Sequence, residues 1–147
     1  MSKILVSACL LGLCCRYKGD GKKNDAILAL AKKHTLIPVC PEQLGGLATP
    51  RDPSEQQNGR VISKTGLDVT EQYETGAEAA LLIAQLNGVK LAILKSRSPS
   101  CGNGLIYDGS FSGRLVPGDG VCASLLKNNG IKVFSEEELD ALYQEGL

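Results

Sequence analysis

The sequence predicts a single-domain α/β protein: one doubly wound, mostly parallel sheet with helices on both faces, of the Rossmann or flavodoxin-like kind. Two observations predict it. Short apolar runs rich in strand-forming residues alternate along the chain with segments of helical spacing, the order in which crossover helices connect parallel strands. A length of 147 residues at 43% hydrophobic suits one domain, residues 1–147, around one sizeable core. No internal repeat or low-complexity segment divides it.

Taken in order, Lys3 to Ala8 (KILVSA) reads as a strand ending near Ser7, before a loop containing Gly12, Gly19 and Gly21. From Asn24, the run NDAILALAKKH has helical spacing, with Asn24 as N-cap and Lys32, Lys33 and His34 at the carboxyl end. TLIPV is a second strand leading into Cys40. The following CPEQLGGLATPRDPSEQQNGR, dense in Pro and Gly, is expected to be irregular and, being too long for a connector, functional. Asp68 to Asn87 is the longest helical pattern, and Gly88 stops it at a left-handed cap position. Gly76 inside it is a mild cost or a site of close packing. VKLAILK is a third strand, followed by the loop SRSPSCGNGLIYDGSFSGRLVPGDG. VCASLLKNN is a helix, IKVF a fourth strand, and SEEELDALYQEG a last helix with a capping box from Ser135 to Glu138.

Charge narrows the functional classes. Lys plus Arg and Asp plus Glu both number 16, so no overall field favours nucleic acid or anionic lipid. The first residues, MSKILVSACLLG, lack the pattern of a secretory signal, and no stretch reaches the roughly 18 apolar residues of a spanning helix. A cytoplasmic protein is expected, without membrane or nucleic-acid partners. In a reducing compartment its six cysteines are better read as ligands or catalysts than as disulfides.

Cys9, Cys40 and Cys101 each lie just beyond the carboxyl end of a predicted strand. Those ends share one edge of a parallel sheet, where ligands bind. No CxxC pair occurs, so neither a zinc ribbon nor a thioredoxin-type pair is indicated. Three thiolates with an empty fourth position suit a cubane cluster with one exchangeable iron, or a catalytic zinc; three packing cysteines are the plainer alternative. Spacing does not choose among them. Cys14 and Cys15 could line the same edge, and a fourth ligand from Cys15 would close the site. Cys122 falls in a helix, where packing is expected. His34, the one histidine, is placed to suit a helix dipole.

Several longer motifs carry a resemblance: SACLLG followed by CRY (Ser7 to Gly12, Cys15 to Tyr17), CPEQLGGL with TPR (Cys40 to Leu47, Thr49 to Arg51), RSPSCG (Arg97 to Gly102), IYDGSFSG (Ile106 to Gly113) and PGDGV (Pro117 to Val121). In this order they resemble the thiouracil desulfidases nearly end to end. Lys18 and Cys122 are the departures. The resemblance implies a 4Fe-4S cluster bound by Cys9, Cys40 and Cys101, with the fourth iron open to substrate. It also implies removal of sulfur from a thiolated pyrimidine, 2-thiouracil or 4-thiouridine monophosphate, without net redox change.

Attack by water on such a substrate needs a base, and Glu42 is the candidate, held near Cys40 by the turn through Pro41. Ser100, adjacent to Cys101, could donate a hydrogen bond or pass a proton to the leaving pyrimidine; Ser98 differs only in being less close. Candidate substrate contacts are Ser7, Arg16, Arg51 and Lys95, with glycine-rich backbone at Gly45 and Gly46 and from Ser110 to Gly113 for a phosphate. No GxxxxGK[ST] motif occurs, so ATP use is not expected. The competing classes are a ligand-binding module with packing or zinc-holding cysteines and an electron carrier or redox sensor with a closed cluster. A homodimer stays open.

Overall fold

Alternation of strand and helix patterns becomes a four-stranded sheet in a computed structural model that describes residues 1–147. In chain order the elements are β1 (Lys3–Ser7), α1 (Asp25–Ala29), β2 (Thr35–Val39), α2 (Pro41–Leu44), β3 (Ser54–Gln57), β4 (Arg60–Ser63), α3 (Thr70–Leu86), β5 (Leu91–Leu94), β6 (Leu105–Tyr107), β7 (Leu115–Pro117), α4 (Val121–Asn128), β8 (Lys132–Ser135) and α5 (Leu139–Gln144). The central sheet has the order β2-β1-β5-β8 and every pairing in it is parallel. Strand β2 lies at an edge, where Pro38 leaves no interior ladder bond unmade.

The sheet is apolar on both faces because helices cover both. On one, Ala77, Ala80 and Ala84 of α3 and Cys122, Ala123 and Leu126 of α4 pack on Leu5, Ala92, Leu94 and Val133. On the other, Ile27 of α1 and Leu142 of α5 meet Ile4, Val6 and Ile93. The doubly wound prediction is met, and Cys122 is packed in the core as its helical position predicts. Asn24 caps α1, its side chain accepting from the Ile27 N–H. Ser135 and Glu138 form the expected capping box, although a 3-10 turn separates it from α5.

Two stretches expected to be irregular are ordered. The Cys40–Arg60 stretch contains the one-turn helix α2 and, with the residues after it, the antiparallel hairpin β3–β4; the loop after β5 contains a second hairpin, β6–β7. Their strands are only three or four residues long, and SEQQ of β3 has no apolar residue at all, which is why pattern alone does not reveal them. Pro41 begins α2 at the helical position where a missing N–H costs nothing.

Helix α2 lies backbone to backbone on α3. A Cβ on Gly76 would overlap the Pro41 carbonyl, and one on Gly45 the Gln72 carbonyl. Close packing, one of the two uses foreseen for Gly76, is therefore what the position serves, and it sets α2 and the residues at its start against the longest helix.

Candidate active site

The strand order reverses at β1: the chain passes from β1 to β2 on one side and returns to β5 on the other. The carboxyl ends flanking such a switch point form a crevice. Cys9 follows β1 in a short 3-10 turn, Cys40 follows β2 as the residue before α2, and Cys101 lies in the turn after β5. These are neighbouring strands, and all three cysteines line one cavity of about 390 Å³. Convergence expected from strand ends is thus realised.

Burial shapes the thiols. Cys101 is 5% exposed, and loss of water pushes its thiol up to about 12, against the pull of the Ser7 hydroxyl. The neighbouring Cys15 thiol and burial raise Cys40 far above the ordinary range. Cys15 itself, also buried, is raised to about 11; contact with Cys40 lowers it, but Cys9 and burial outweigh that. Cys15 therefore stands against Cys9 and Cys40, while Cys14 is exposed and does not line this cavity. The donors that Cys9, Cys40 and Cys101 bring to this cavity are all sulfur, the ligand type that iron-sulfur clusters take. Ser100 fits the same picture. Its buried Oγ has no hydrogen-bond partner, and its hydroxyl pulls the neighbouring Cys101 thiol slightly down against the larger push of burial. A buried polar atom so placed is an acceptor's complement waiting beside a sulfur.

Glu42 also lines the cavity, two residues beyond Cys40. Arg51 holds it, Nε donating to Oε1 at 3.0 Å, with the two side chains only 9% and 18% exposed. The rest of the guanidinium donates to the carbonyls of Cys15 (2.9 Å) and Ala48 (3.1 Å) and to Thr49 Oγ1 (2.9 Å). Arg51 is therefore a brace between the first loop and α2. The Tyr73 hydroxyl, reaching in from α3, faces Glu42; burial and then that carboxylate raise it well above the usual phenol range.

The remaining sequence-derived contacts divide. Ser7 Oγ accepts from the Lys95 N–H at 2.9 Å, tying β1 to the end of β5. Arg16 and Lys95 reach the cavity wall, but each is paired, with Asp20 and Glu136 at 3.1 and 2.9 Å. Arg97 is likewise paired with Glu137. Lys64, which the sequence did not single out, lines the cavity without a carboxylate partner. Ser98 lines it and Ser100 does not; Ser98 Oγ accepts the N–H groups of Ser100 (3.1 Å) and Cys101 (3.0 Å), leaving its own proton free. Gly45 and Gly46 do not line the cavity, whereas Gly113 does. His34 accepts from the Ser2 N–H, away from the site.

The two hairpins roof this crevice. Gln56 of β3 donates to the carbonyls of Pro99 (3.1 Å) and Asp119 (2.9 Å), and Gln57 to that of Gly109 (2.7 Å). Glu55, 8% exposed, accepts from the Gly109 and Phe111 N–H groups at 3.0 and 3.1 Å. Tyr73, Glu55, Lys64 and the pairing of Glu42 with Arg51 are site features that sequence reasoning missed. The motif spacing hinted at the pair alone, since TPR follows CPEQ closely.

The chain is similar to known proteins over most or all of its length. A family model described as 2-thiouracil desulfurase matches residues 4–138. Uncharacterized protein YbbK of Bacillus subtilis (strain 168) is 43% identical over 147 residues, covering 93% of this chain and 97% of its own. A solved structure described as 4Fe-4S-dependent thiouracil desulfidase TudS is 44% identical, with a TM-score of 0.92 and 100% of both chains covered.

Proposed function

Since the chain belongs to the 2-thiouracil desulfurase family, we propose that it exchanges the thiocarbonyl sulfur of a pyrimidine for oxygen. The substrate is 2-thiouracil or 4-thiouridine monophosphate. One water is consumed, the C=S bond becomes C=O, and hydrogen sulfide leaves with no net redox change. The observation that carries this reading is the meeting of Cys9, Cys40 and Cys101 with Glu42 on one cavity at the switch point.

Cys9, Cys40 and Cys101 would hold a 4Fe-4S cluster whose fourth iron has no protein ligand. When bound, such a cluster supplies a soft Lewis acid that attracts thiocarbonyl sulfur and leaves the ring carbon electrophilic. The protein's own groups do the rest. Glu42 takes the proton of the attacking water, its carboxylate aimed by Arg51 and Tyr73. Ser98 hands its free hydroxyl proton toward the ring, while the unpartnered Ser100 hydroxyl is free to donate to the Cys101 sulfur once that sulfur is a thiolate. Ser7 sets the spacing of β1 from Lys95 and shares the Cys101 sulfur. Arg16, Arg51 and Lys95 keep the wall polar, and Lys64 is the cation left for a phosphate.

A second reading, a carrier with a closed cluster, is favoured by one contact, that of Cys15 with Cys9 and Cys40. Anaerobic reconstitution with iron and sulfide, followed by a visible spectrum and a sulfide assay with both substrates, tests the main reading. Broad charge-transfer absorption and sulfide release are expected. A cluster that forms but releases sulfide from neither substrate overturns it, and a Cys15→Ser chain that cannot assemble the cluster supports the carrier instead.

A further inference from the structure

The chain holds four Tyr, two Phe and no Trp, and every one of these aromatic side chains except Phe134 and Tyr143 lines the same cavity. Tyr73 is deep in the interior, facing Glu42. Tyr17, Tyr107 and Phe111 come from the loops and hairpin around the mouth. Core packing does not explain Tyr17, Tyr107 and Phe111, which are only part-buried and belong to neither hydrophobic cluster.

Phe111 is the most telling. Its φ is +55°, a left-handed conformation that costs a bulky L-residue free energy and persists only where the surroundings impose it. They do impose it. Glu55 Oε1 accepts from the Phe111 and Gly109 N–H groups together, and this buried carboxylate has no cationic partner, so these two bonds are what it is buried for. Gln57 holds the Gly109 carbonyl at 2.7 Å, and Gly109 at φ +95° has no room for a Cβ, which would approach the Gln56 carbonyl. On the loop's other side the Asp108 carboxylate accepts from the Ser110 N–H at 2.9 Å. A hairpin tip tied at this many points presents one apolar side chain to the cavity.

Resting on the function proposed above, we infer that Phe111 is the stacking face for the pyrimidine ring, with Glu55 as the positioning residue that holds it over the cavity. An aromatic face binds a planar ring without reading its substituents, so the same surface accepts a thiolated base and its oxygen product. Ring orientation is left to the polar groups below.

The test uses the anaerobically reconstituted full chain and measures uracil binding by calorimetry beside turnover of 2-thiouracil. Uracil carries no sulfur to remove, so its binding reports the ring contact alone. Phe111→Leu is expected to weaken uracil binding roughly tenfold to a hundredfold and to raise KM for 2-thiouracil with kcat little changed, while Phe111→Tyr restores both. Glu55→Ala reproduces the Phe111→Leu effect with the visible spectrum intact. Phe111→Trp introduces the one tryptophan of the chain, and uracil is expected to quench its fluorescence. Uracil binding by Phe111→Leu within twofold of wild type, or a Phe111→Tyr protein as weak as Phe111→Leu, overturns the inference. So does a wild-type protein that does not bind uracil. Sulfide release that persists in those cases leaves the proposed reaction standing; Phe111-dependent uracil binding without sulfide release removes the reaction and keeps the stacking face.

Discussion

The parallel sheet and the hairpins that roof its carboxyl edge are held by different forces. Inside the sheet, Ile4, Leu5, Ala92, Ile93 and Leu94 have no exposed surface, and the helices over them contribute alanines and leucines. The roof has little of this. Glu55, Gln56 and Gln57, three consecutive polar residues, tie it to the turn of Cys101 and to the Phe111 loop. Burial is insensitive to small displacements, whereas hydrogen bonds fix direction. The difference assigns tasks: the sheet sets where the thiols stand, and the roof sets what lies over them. It also separates stability from opening, because a region with few buried apolar contacts opens at lower free energy than the core.

The largest effect is expected where the sheet delivers its ligands. Cys40→Ser or Cys101→Ser abolishes both visible absorption and sulfide release after reconstitution. Cys122→Ser, fully buried behind Cys101 but not among the residues that line the cavity, keeps both and lowers stability by about 1–3 kcal/mol through an unpartnered hydroxyl. Glu42→Gln comes next: an unchanged spectrum with kcat reduced about a hundredfold to ten-thousandfold by stopped assay. Gly76→Ala attacks the seam between α2 and α3 and should cost about 1–3 kcal/mol or more in a denaturant melt, since the new methyl meets a carbonyl and not a flexible side chain. A wild-type melting curve there would show that α2 can move. Gln57→Ala sharpens the other half of the comparison. Hydrogen exchange should rise around Gly109 with global stability changed by about 1 kcal/mol or less. The smallest effect concerns acid. The Thr70 hydroxyl and N–H, with Arg60, hold Asp68 down to about 2, below its ordinary 3.8. A carboxylate depressed on folding stabilises above its unfolded value and loses that contribution as pH falls toward 2. Asp68→Asn should therefore flatten stability against pH between about 4 and 2, in chemical melts at each pH.

This contrast explains how much could be read beforehand. Strands such as KILVS and LAIL and the run DAILALA announce themselves through apolar content and period, and their order already implies one crevice for Cys9, Cys40 and Cys101. The roof does not announce itself. SEQQ has no apolar residue, and its value lies in side chains that bond across the fold to backbone groups no local pattern identifies. The partners of Glu42 were hidden for the same reason, Arg51 lying beyond a loop and Tyr73 in another helix. Arg16, Arg51 and Lys95 were legible as cations near the edge but not as cations already matched by Asp20, Glu42 and Glu136. The gathering of aromatics had a signal in the sequence: Tyr17, Tyr107 and Phe111 sit in or beside glycine-rich segments, where packing gives no reason for large rings.

The reversal of strand order at β1 also dictates a timetable. Cys9 and Cys40 emerge early in synthesis on strands that pair with each other, but Cys101 joins them only when β5, made after the whole of α3, slots in on the far side of β1. Such a long-range parallel pairing is among the slower events of folding. A nascent chain with two strands out offers two of these three thiols and no roof. The complete thiol set therefore comes into being with the finished sheet, and an unfinished chain has no place to keep a cofactor handed to it too soon.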